Sequence, residues 1–555
     1  MKAISPMLKT LVAVVVLVAG SVMLPAQTIQ YLNSNNIVAG IGIGGNLFSV
    51  GSSFAPGASD LFITKFDSGR AEIFTSTLWM NGVDEGGNAH GAIGAYRDSG
   101  FIDGPIAQIY NSAYYHYYNR VFKVTQTQIA IFRSLSFPTT VNLVDSSILY
   151  WPGKGNPSVL NDYSVSIDSF LAPFIDVNGN GIYDPLQGDY PAFLGDQAIF
   201  FVFNDVNGTR NVVNCLSMGI EIRGLATCFN DTSPGNIPYN KRALNNSIFV
   251  QYEIENKSQH TYADFDIAQW LDPDIGCFQD DYVGCDSARN LMFAYNGSAN
   301  DKDCYPELGF GTLPVALGVQ LLSEPMNVFG YFSGDGGAPF NTIPIGDDSL
   351  CSTFLGYSEG YWSDTIPFTY GGIGYNPEGN RTKFLFSGDP TDSSQWSEVS
   401  NHDLAGDRRM FGATDSLHLT PGQTINFTVA FTTSFDSTSN HISIVDTLKI
   451  DADSIRAFYL HHILPGQQTL GVKELPNANL FTVHIYPNPT NNNVTIESSD
   501  VIQTIQLMDI EGRVILHKTI GATKMVLPVN ALAKGVYLLN VQGVDVSVVR
   551  KLVIQ

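Results

Sequence analysis

The chain has 555 residues, with 29 Lys and Arg against 52 Asp and Glu and a formal net charge of −23. That balance leaves no clustered cationic surface for nucleic acid. Hydrophobic residues make up 44%, aromatic residues 12% and charged residues only 15%. This excludes global disorder and supplies a buried core. The length exceeds one ordinary domain, and 52 Gly with 27 Pro point to a turn-rich β protein.

The N-terminus places Lys2 and Lys9 before an apolar run from Leu11 to Ala19, then Leu24-Pro25-Ala26-Gln27. This is the order of a secretory signal peptide, assigned to residues 1–26 with cleavage after Ala26. The run is short of the roughly 20 residues that span a bilayer. The exported part then reads as an N-terminal β region, 27–150, and a main β-rich region, 151–464, with a weakly marked boundary near 150–175.

Strand signals recur through this passenger at Gln197–Phe203, Ile248–Ile254 and Thr424–Phe431, separated by Gly, Asn and Asp. Leu419-Thr-Pro-Gly-Gln423 is a turn leading into the last of these. Asp205-Val-Asn-Gly208 reads as a hairpin turn. Tyr114-Tyr115-His116-Tyr117-Tyr118 is either a sugar-stacking patch or, at period two, a strand with half its rings in a β core. Val445, Leu448, Ala452, Ile455 and Tyr459 form one apolar stripe and predict a helix packed on a sheet. No short internal repeat is present, which argues against a propeller or solenoid.

Two acidic segments suit a hard cation. In Asp176-Val-Asn178-Gly-Asn180-Gly-Ile182-Tyr-Asp184, oxygen-bearing side chains occupy positions 1, 3, 5 and 9, with Gly181 at the sharp turn and Ile182 offering its carbonyl. Calcium takes six to eight oxygens, and alternate residues of a tight loop can all point inward. Gln187 stands where an EF-hand has its glutamate, so Asp189 is the expected closing ligand. The looser calcium loops of dockerin or thrombospondin-type repeats are the nearer analogy. The same residues suit a metal-free turn. The second segment carries Asp272, Asp274, Asp280, Asp281 and Asp286, bracketed by Cys277 and Cys285. Five carboxylates so close repel one another unless they are solvated or neutralised by calcium.

Six cysteines in an exported chain favour disulfides. Nearest-neighbour pairing predicts Cys215–Cys228, Cys277–Cys285 and Cys304–Cys351, one of fifteen connectivities. Zinc spacing of the CxxC kind is absent. No catalytic residue is assigned. The chain has no HExxH motif. Gly356-Tyr-Ser358-Glu-Gly360 fits GxSxG, but the residues after it do not begin a good helix, as a nucleophile elbow requires. His461-His462 suits the C-terminal end of the predicted helix rather than a metal.

A polar linker, 465–478, precedes a module at 479–555 built of short alternating strands. Residues 466–555 hold 7 basic and 6 acidic side chains. Setting these aside with the two leader lysines leaves 20 basic against 46 acidic, a net of −26 on the passenger. Tyr486-Pro-Asn-Pro489, Asp509-Ile-Glu-Gly-Arg513, Gly535-Val-Tyr537 and the basic-apolar final strand resemble the C-terminal sorting domain of type IX secretion cargo. The resemblance implies an immunoglobulin-like β-sandwich, passage through the Sec translocon and periplasm, and recognition by the type IX outer-membrane translocon and sorting machinery. Secretion or cell-surface display follows, with extracellular polysaccharide or a neighbouring surface as expected partners.

The passenger itself resembles a family of large exported proteins carrying this sorting domain. The match rests on Thr77–Asp84, Tyr150–Pro157, Pro173–Pro185, Gly188–Pro191, Gly195–Gln197 and Asp280–Asp286. That resemblance implies location and not chemistry. Triplets such as Asp286-Ser-Ala, Asp415-Ser-Leu and Asp446-Thr-Leu resemble bacterial O-glycosylation acceptors. The expected fold is a mainly β passenger sandwich with at least one packed helix, plus the sorting sandwich. The expected function is calcium-stabilised adhesion or binding, with a secreted hydrolase acting through Asp and Glu residues as the alternative.

Overall fold

The computed structural model describes residues 28–49, 62–65, 70–95, 98–206, 215–230, 241–304, 307–334, 351–464, 483–508, 514–542 and 547–555. The leader at 1–26 and the linker at 465–478 lie outside the described residues. The chain forms two compact units, Met1–Gly471 and Val472–Gln555.

In the first unit, alternation of apolar and polar residues builds two antiparallel sheets. One runs in the order Ile29–Leu32, Ile37–Gly42, Phe62–Thr64, Ala71–Val83, Tyr262–Pro273, Arg408–Leu419, Val328–Ser333. The other runs Asp281–Asp286, Leu291–Asn296, Val315–Leu321, Thr424–Phe435, Ser247–Asn256, Ile220–Cys228, Gln197–Asn204, Ile102–Asp103. Each sheet draws strands from both sides of residue 150, so the expected N-terminal and main regions share one core. That core lies between the sheets. Ile248, Val250, Tyr252 and Ile254 meet Trp79, Trp270, Phe411 and their neighbours there. The Trp79 and Trp270 rings stack at 6.0 Å.

Period-two alternation leaves the other face of the second sheet to be covered separately. The helix Ile444–Phe458 covers part of it, as the stripe predicts. Val445, Leu448 and Ala452 pack on Leu291, Phe293, Tyr295 and Ala316. Ile455 and Phe458 pack on Phe249 and Ala430. His461 and His462 fall in a wider turn, Tyr459–Ile463, that continues the helix.

A second cover is made of short helices around Trp151, and it corrects the strand reading of the tyrosine patch. Ser112–Tyr118 is a helix, capped by the Asn111 side chain accepting the Tyr114 amide at 2.9 Å. Tyr114, Tyr117 and Tyr118 are buried while Tyr115 is 44% exposed. That three-and-four spacing, with the asparagine cap, is helical rather than alternating.

The expected disulfide pairing is also corrected. The bonds are Cys215–Cys351 and Cys277–Cys304, with Cα separations of 5.0 and 5.4 Å. Cys228 and Cys285 are free and buried. The reason is strand extension. The nine-residue strand Ile220–Cys228 carries Cys228 about 27 Å from its start, so Cys215 lies beyond bonding reach. Asp281–Asp286 likewise carries Cys285 about 13 Å past residue 281 and away from Cys277.

The second unit is a five-stranded sheet, Val483–Tyr486, Asn493–Met508, Gly535–Gln542, Ser547–Ile554, with Val514–Pro528 paired to Asn493–Met508. Register shifts between Glu497 and Thr504 bend the long strand, which separates the two halves read from sequence. Val494, Ile496, Ile505, Leu507, Tyr537, Leu539, Leu552 and Ile554 fill its core. The Tyr486-Pro-Asn-Pro489 segment is tied to the final strand. Asn488 donates from its side-chain amide to the Lys551 carbonyl at 2.7 Å and accepts the Val553 amide at 2.8 Å.

Candidate metal centres

Loop 176–189 is closed at its base by a two-residue ladder, Tyr190 opposite Ile175 and Pro191 opposite Phe174. Tyr183 pins its middle. The ring is fully buried, and its hydroxyl donates to the Ile148 carbonyl at 2.6 Å. Gly179 and Gly181 take φ of 74° and 75°, which costs glycine little. Asp176 then gathers the turn. Its Oδ1 accepts the amides of Gly179 at 2.6 Å and Asn180 at 3.2 Å, and its Oδ2 accepts that of Gly181 at 2.7 Å.

Asn178 and Asn180 accept the amides of Asn180 and Ile182 at 3.0 and 2.8 Å. Asp184 accepts the Leu186 amide at 3.1 Å. Asp189 is fully buried and straps the loop, accepting the amides of Val177 and Asp184, each at 2.8 Å. Burial pushes the Asp189 carboxyl up, and those amides pull against it. Asp176, Asn178, Asn180, Asp184 and Asp189 thus share one closed loop around the Ile182 backbone. Apart from Asp176 Oδ1, which accepts two amides, each of these accepting oxygens retains a second lone pair.

The second acidic segment divides into three groups. Asp286 is committed to Arg289, whose Nη1 lies 2.7 Å away, and caps the following turn. Asp272 and Asp274 converge with Asp407. There the Arg409 guanidinium already pairs with Asp272 at 3.2 Å and with Asp407 at 2.6 Å.

Asp280 and Asp281 form the third group, joined by Asp301, which the sequence reading missed. Asp281 is fully buried; its Oδ2 accepts the Ile275 amide at 3.0 Å. Among the described residues its Oδ1 and the Oδ1 of Asp280 have no hydrogen-bond partner. Asp301 is 2% exposed and sits flush between Gly276 and Gly309. A Cβ on either glycine would come within 2.1 and 2.4 Å of Asp301 atoms. Its carboxylate accepts the amides of Cys277 at 3.2 Å and Phe310 at 2.6 Å. Carboxylate oxygens of Asp280 and Asp301 lie within 4.8 Å of each other. Cys277, beside them, is tied up in its disulfide and offers no thiolate.

Asn296, also 2% exposed, faces Asp281 across the ladder. Burial pushes Asp280 up to about 6, with repulsion from Asp301 adding to it. Burial pushes Asp281 well above the usual range, and both neighbouring carboxylates add to that. Arg408 attracts Asp281 from a distance, but it is paired with Glu398 at 2.9 Å. The Cys277–Cys304 bond closes the chain around this cluster, in place of the expected Cys277–Cys285 bracket. A cavity of about 190 Å³ lies alongside, lined by Asn296, Ser298, Gly311, Asn440 and His441.

Ser358 of the GxSxG match is 1% exposed inside the helix Cys351–Glu359. It donates to the Phe354 carbonyl at 3.2 Å and receives Asn81 Nδ2 at 3.0 Å. Ser358 thus lies near the C-terminal end of a helix, not at the strand-to-helix turn that a nucleophile elbow occupies. Among the described residues no helix is long and apolar enough to cross a membrane.

Residues 484–555 match the family described as Secretion system C-terminal sorting domain. The C-terminal unit is a type IX sorting domain, and the protein passes through the type IX machinery to the cell surface or the extracellular space. No curated protein matches the chain. Among solved structures it is similar to a polysaccharide lyase at 8% identity, over 69% of this chain and 39% of that one, with a TM-score of 0.19. The chain thus spans 39% of the length of that neighbour, and the likeness carries no argument about substrate.

Proposed function

We propose that the exported passenger is a calcium-stabilised β-sandwich that binds extracellular polymer or a neighbouring surface. The observation that carries the calcium reading is the approach of Asp280 to Asp301 with Asp281 repelled by both, where Asp281 and Asp301 are buried and, among the described residues, no basic side chain bonds Asp281. Buried like charges are costly unless protonated or neutralised. An oxygen-only site suits calcium. The carboxylates with the Asn296 amide oxygen supply the donors, and loop 176–189 supplies a second oxygen set.

Differential scanning calorimetry with calcium and with a chelator tests this. Calcium is expected to raise Tm by several degrees, and Asp281→Asn is expected to abolish most of that response. A melting temperature indifferent to calcium sinks the proposal. Binding to a panel of polysaccharides then tests the adhesion part.

The second reading is a secreted hydrolase. It draws support from Asp266 and Glu359, neighbouring carboxyls both pushed up by burial, the former to about 7. A general acid works best near such a value. Asp266 is only 2% exposed, which limits what reaches it. Polymer cleavage lost in Glu359→Gln with the fold intact would favour this reading.

A further inference from the structure

Away from both acidic segments, Asp84, His90 and His260 bring a carboxylate oxygen and two imidazole nitrogens within 4.8 Å of one another. Asp84 follows the strand Ala71–Val83, and His90 lies on its hairpin partner Ala89–Ala95. His260 sits in the turn before Tyr262–Pro273, which pairs with Ala71–Val83 and so delivers the turn to Asp84.

The hydrogen bonds determine where the His90 proton resides. His90 Nδ1 is 2.6 Å from the Ser217 carbonyl. A carbonyl only accepts, so Nδ1 carries the hydrogen. The Tyr262 hydroxyl, 3.4 Å from the same nitrogen, donates its own proton to the Met218 carbonyl at 2.7 Å. In the neutral ring Nε2 then presents a lone pair, and it faces Asp84 Oδ2 at 3.1 Å. Asp84 already accepts from the amides of Gly86 and Asn88 and from the Asn88 side chain. His260 Nδ1 lies 3.7 Å from the same Oδ2 and has no hydrogen-bond partner among the described residues. With the His260 hydrogen on Nε2, Asp84 Oδ2, His90 Nε2 and His260 Nδ1 turn three lone pairs toward one another, an arrangement that a cation relieves.

We propose that Asp84 Oδ2, His90 Nε2 and His260 Nδ1 bind a divalent transition-metal cation of the zinc class. Ligands about 2.0–2.1 Å from a tetrahedral zinc stand about 3.3 Å apart, a value bracketed by the observed 3.1 and 3.7 Å. Two nitrogen donors select such a metal over calcium. The Ser217 carbonyl is the outer acceptor that orients the imidazole. It is itself held by the Cys215–Cys351 bond two residues earlier and by Asp205, whose Oδ2 accepts the Ser217 hydroxyl at 2.9 Å. The His260 side chain is 45% exposed while its Nδ1 is buried with Asp84 and His90, so the site lies just beneath the surface. Glu85 Oε1 stands 3.5 Å from His260 Nδ1, and either it or a water completes the coordination.

The test is isothermal titration of Zn²⁺ into the metal-stripped, untagged full chain, with Co²⁺ absorption spectra as a second readout. One equivalent is expected to bind, with a Co²⁺ spectrum of tetrahedral intensity. His260→Ala, at an exposed turn where folding is safe, is expected to weaken binding by about 100-fold, while His441→Ala leaves it unchanged. No zinc uptake up to about 100 times the protein concentration overturns the proposal. Uptake undiminished in both His260→Ala and Asp84→Asn does so as well. In either case the 3.1 Å contact is an imidazolium–carboxylate ion pair.

Discussion

Single residues show how far burial alone moves chemistry in this chain. Asp266 accepts the Ser416 amide at 3.0 Å yet is pushed up to about 7 by desolvation. The ordinary aspartate ionises near 3.8, so between about pH 4 and 7 the unfolded chain holds fewer protons than the folded one. Stability attributable to Asp266 therefore falls as pH rises through that window and levels off above it, by up to about 4 kcal/mol. Asp266→Asn is expected to flatten this decline, read from urea midpoints at pH 4.5, 6 and 7.5. The cysteines offer a second check at this scale. Burial pushes the thiols of Cys228 and Cys285 upward, so neither is expected to react with a thiol reagent in the native protein, and two thiols per chain are expected on unfolding. Reaction of four or of none in the unfolded protein contradicts the pairing described above.

Secondary-structure elements were legible where one pattern governed them. The stripe of the helix Ile444–Phe458 was readable because one face meets one sheet. Leu448 is fully buried between that helix and the strands, and Leu448→Ala is expected to cost about 2–5 kcal/mol of unfolding free energy. The tyrosine patch was misread because five consecutive polar-aromatic residues fit both periods. Only the Asn111 cap and the core around Trp151 select the helix. The Cys277–Cys304 bond encloses the Asp280, Asp281 and Asp301 group. Replacing both cysteines by serine is expected to remove about 2–4 kcal/mol and to weaken calcium binding in parallel, read by calorimetry with and without calcium.

At the scale of the molecule, the chain is a sandwich passenger followed by an independently cored export domain. Truncation at residue 476 is expected to leave the passenger in the periplasm, as cell fractionation with immunoblotting would report. In the sorting domain, Asn488 bridges two of the motifs that identified it. Asn488→Ala is expected to lower the melting temperature of the isolated unit, because it removes both bonds to the final strand.

By itself, the sequence determined the β texture, the acidic passenger, the terminal helix and the export domain, because each rests on local periodicity or contiguous motifs. It also marked loop 176–189, whose oxygen-bearing residues are neighbours in the chain. Only the tertiary structure decided the disulfides, the division of the Asp272–Asp286 segment into three groups, and the recruitment of Asp301 to Asp280 and Asp281. It alone brought His260 to Asp84 and His90. These pairings depend on where extended strands carry their ends, which is set by sheet order and register. No local pattern encodes that order, since the same alternation fits many pairings until one buried core selects among them.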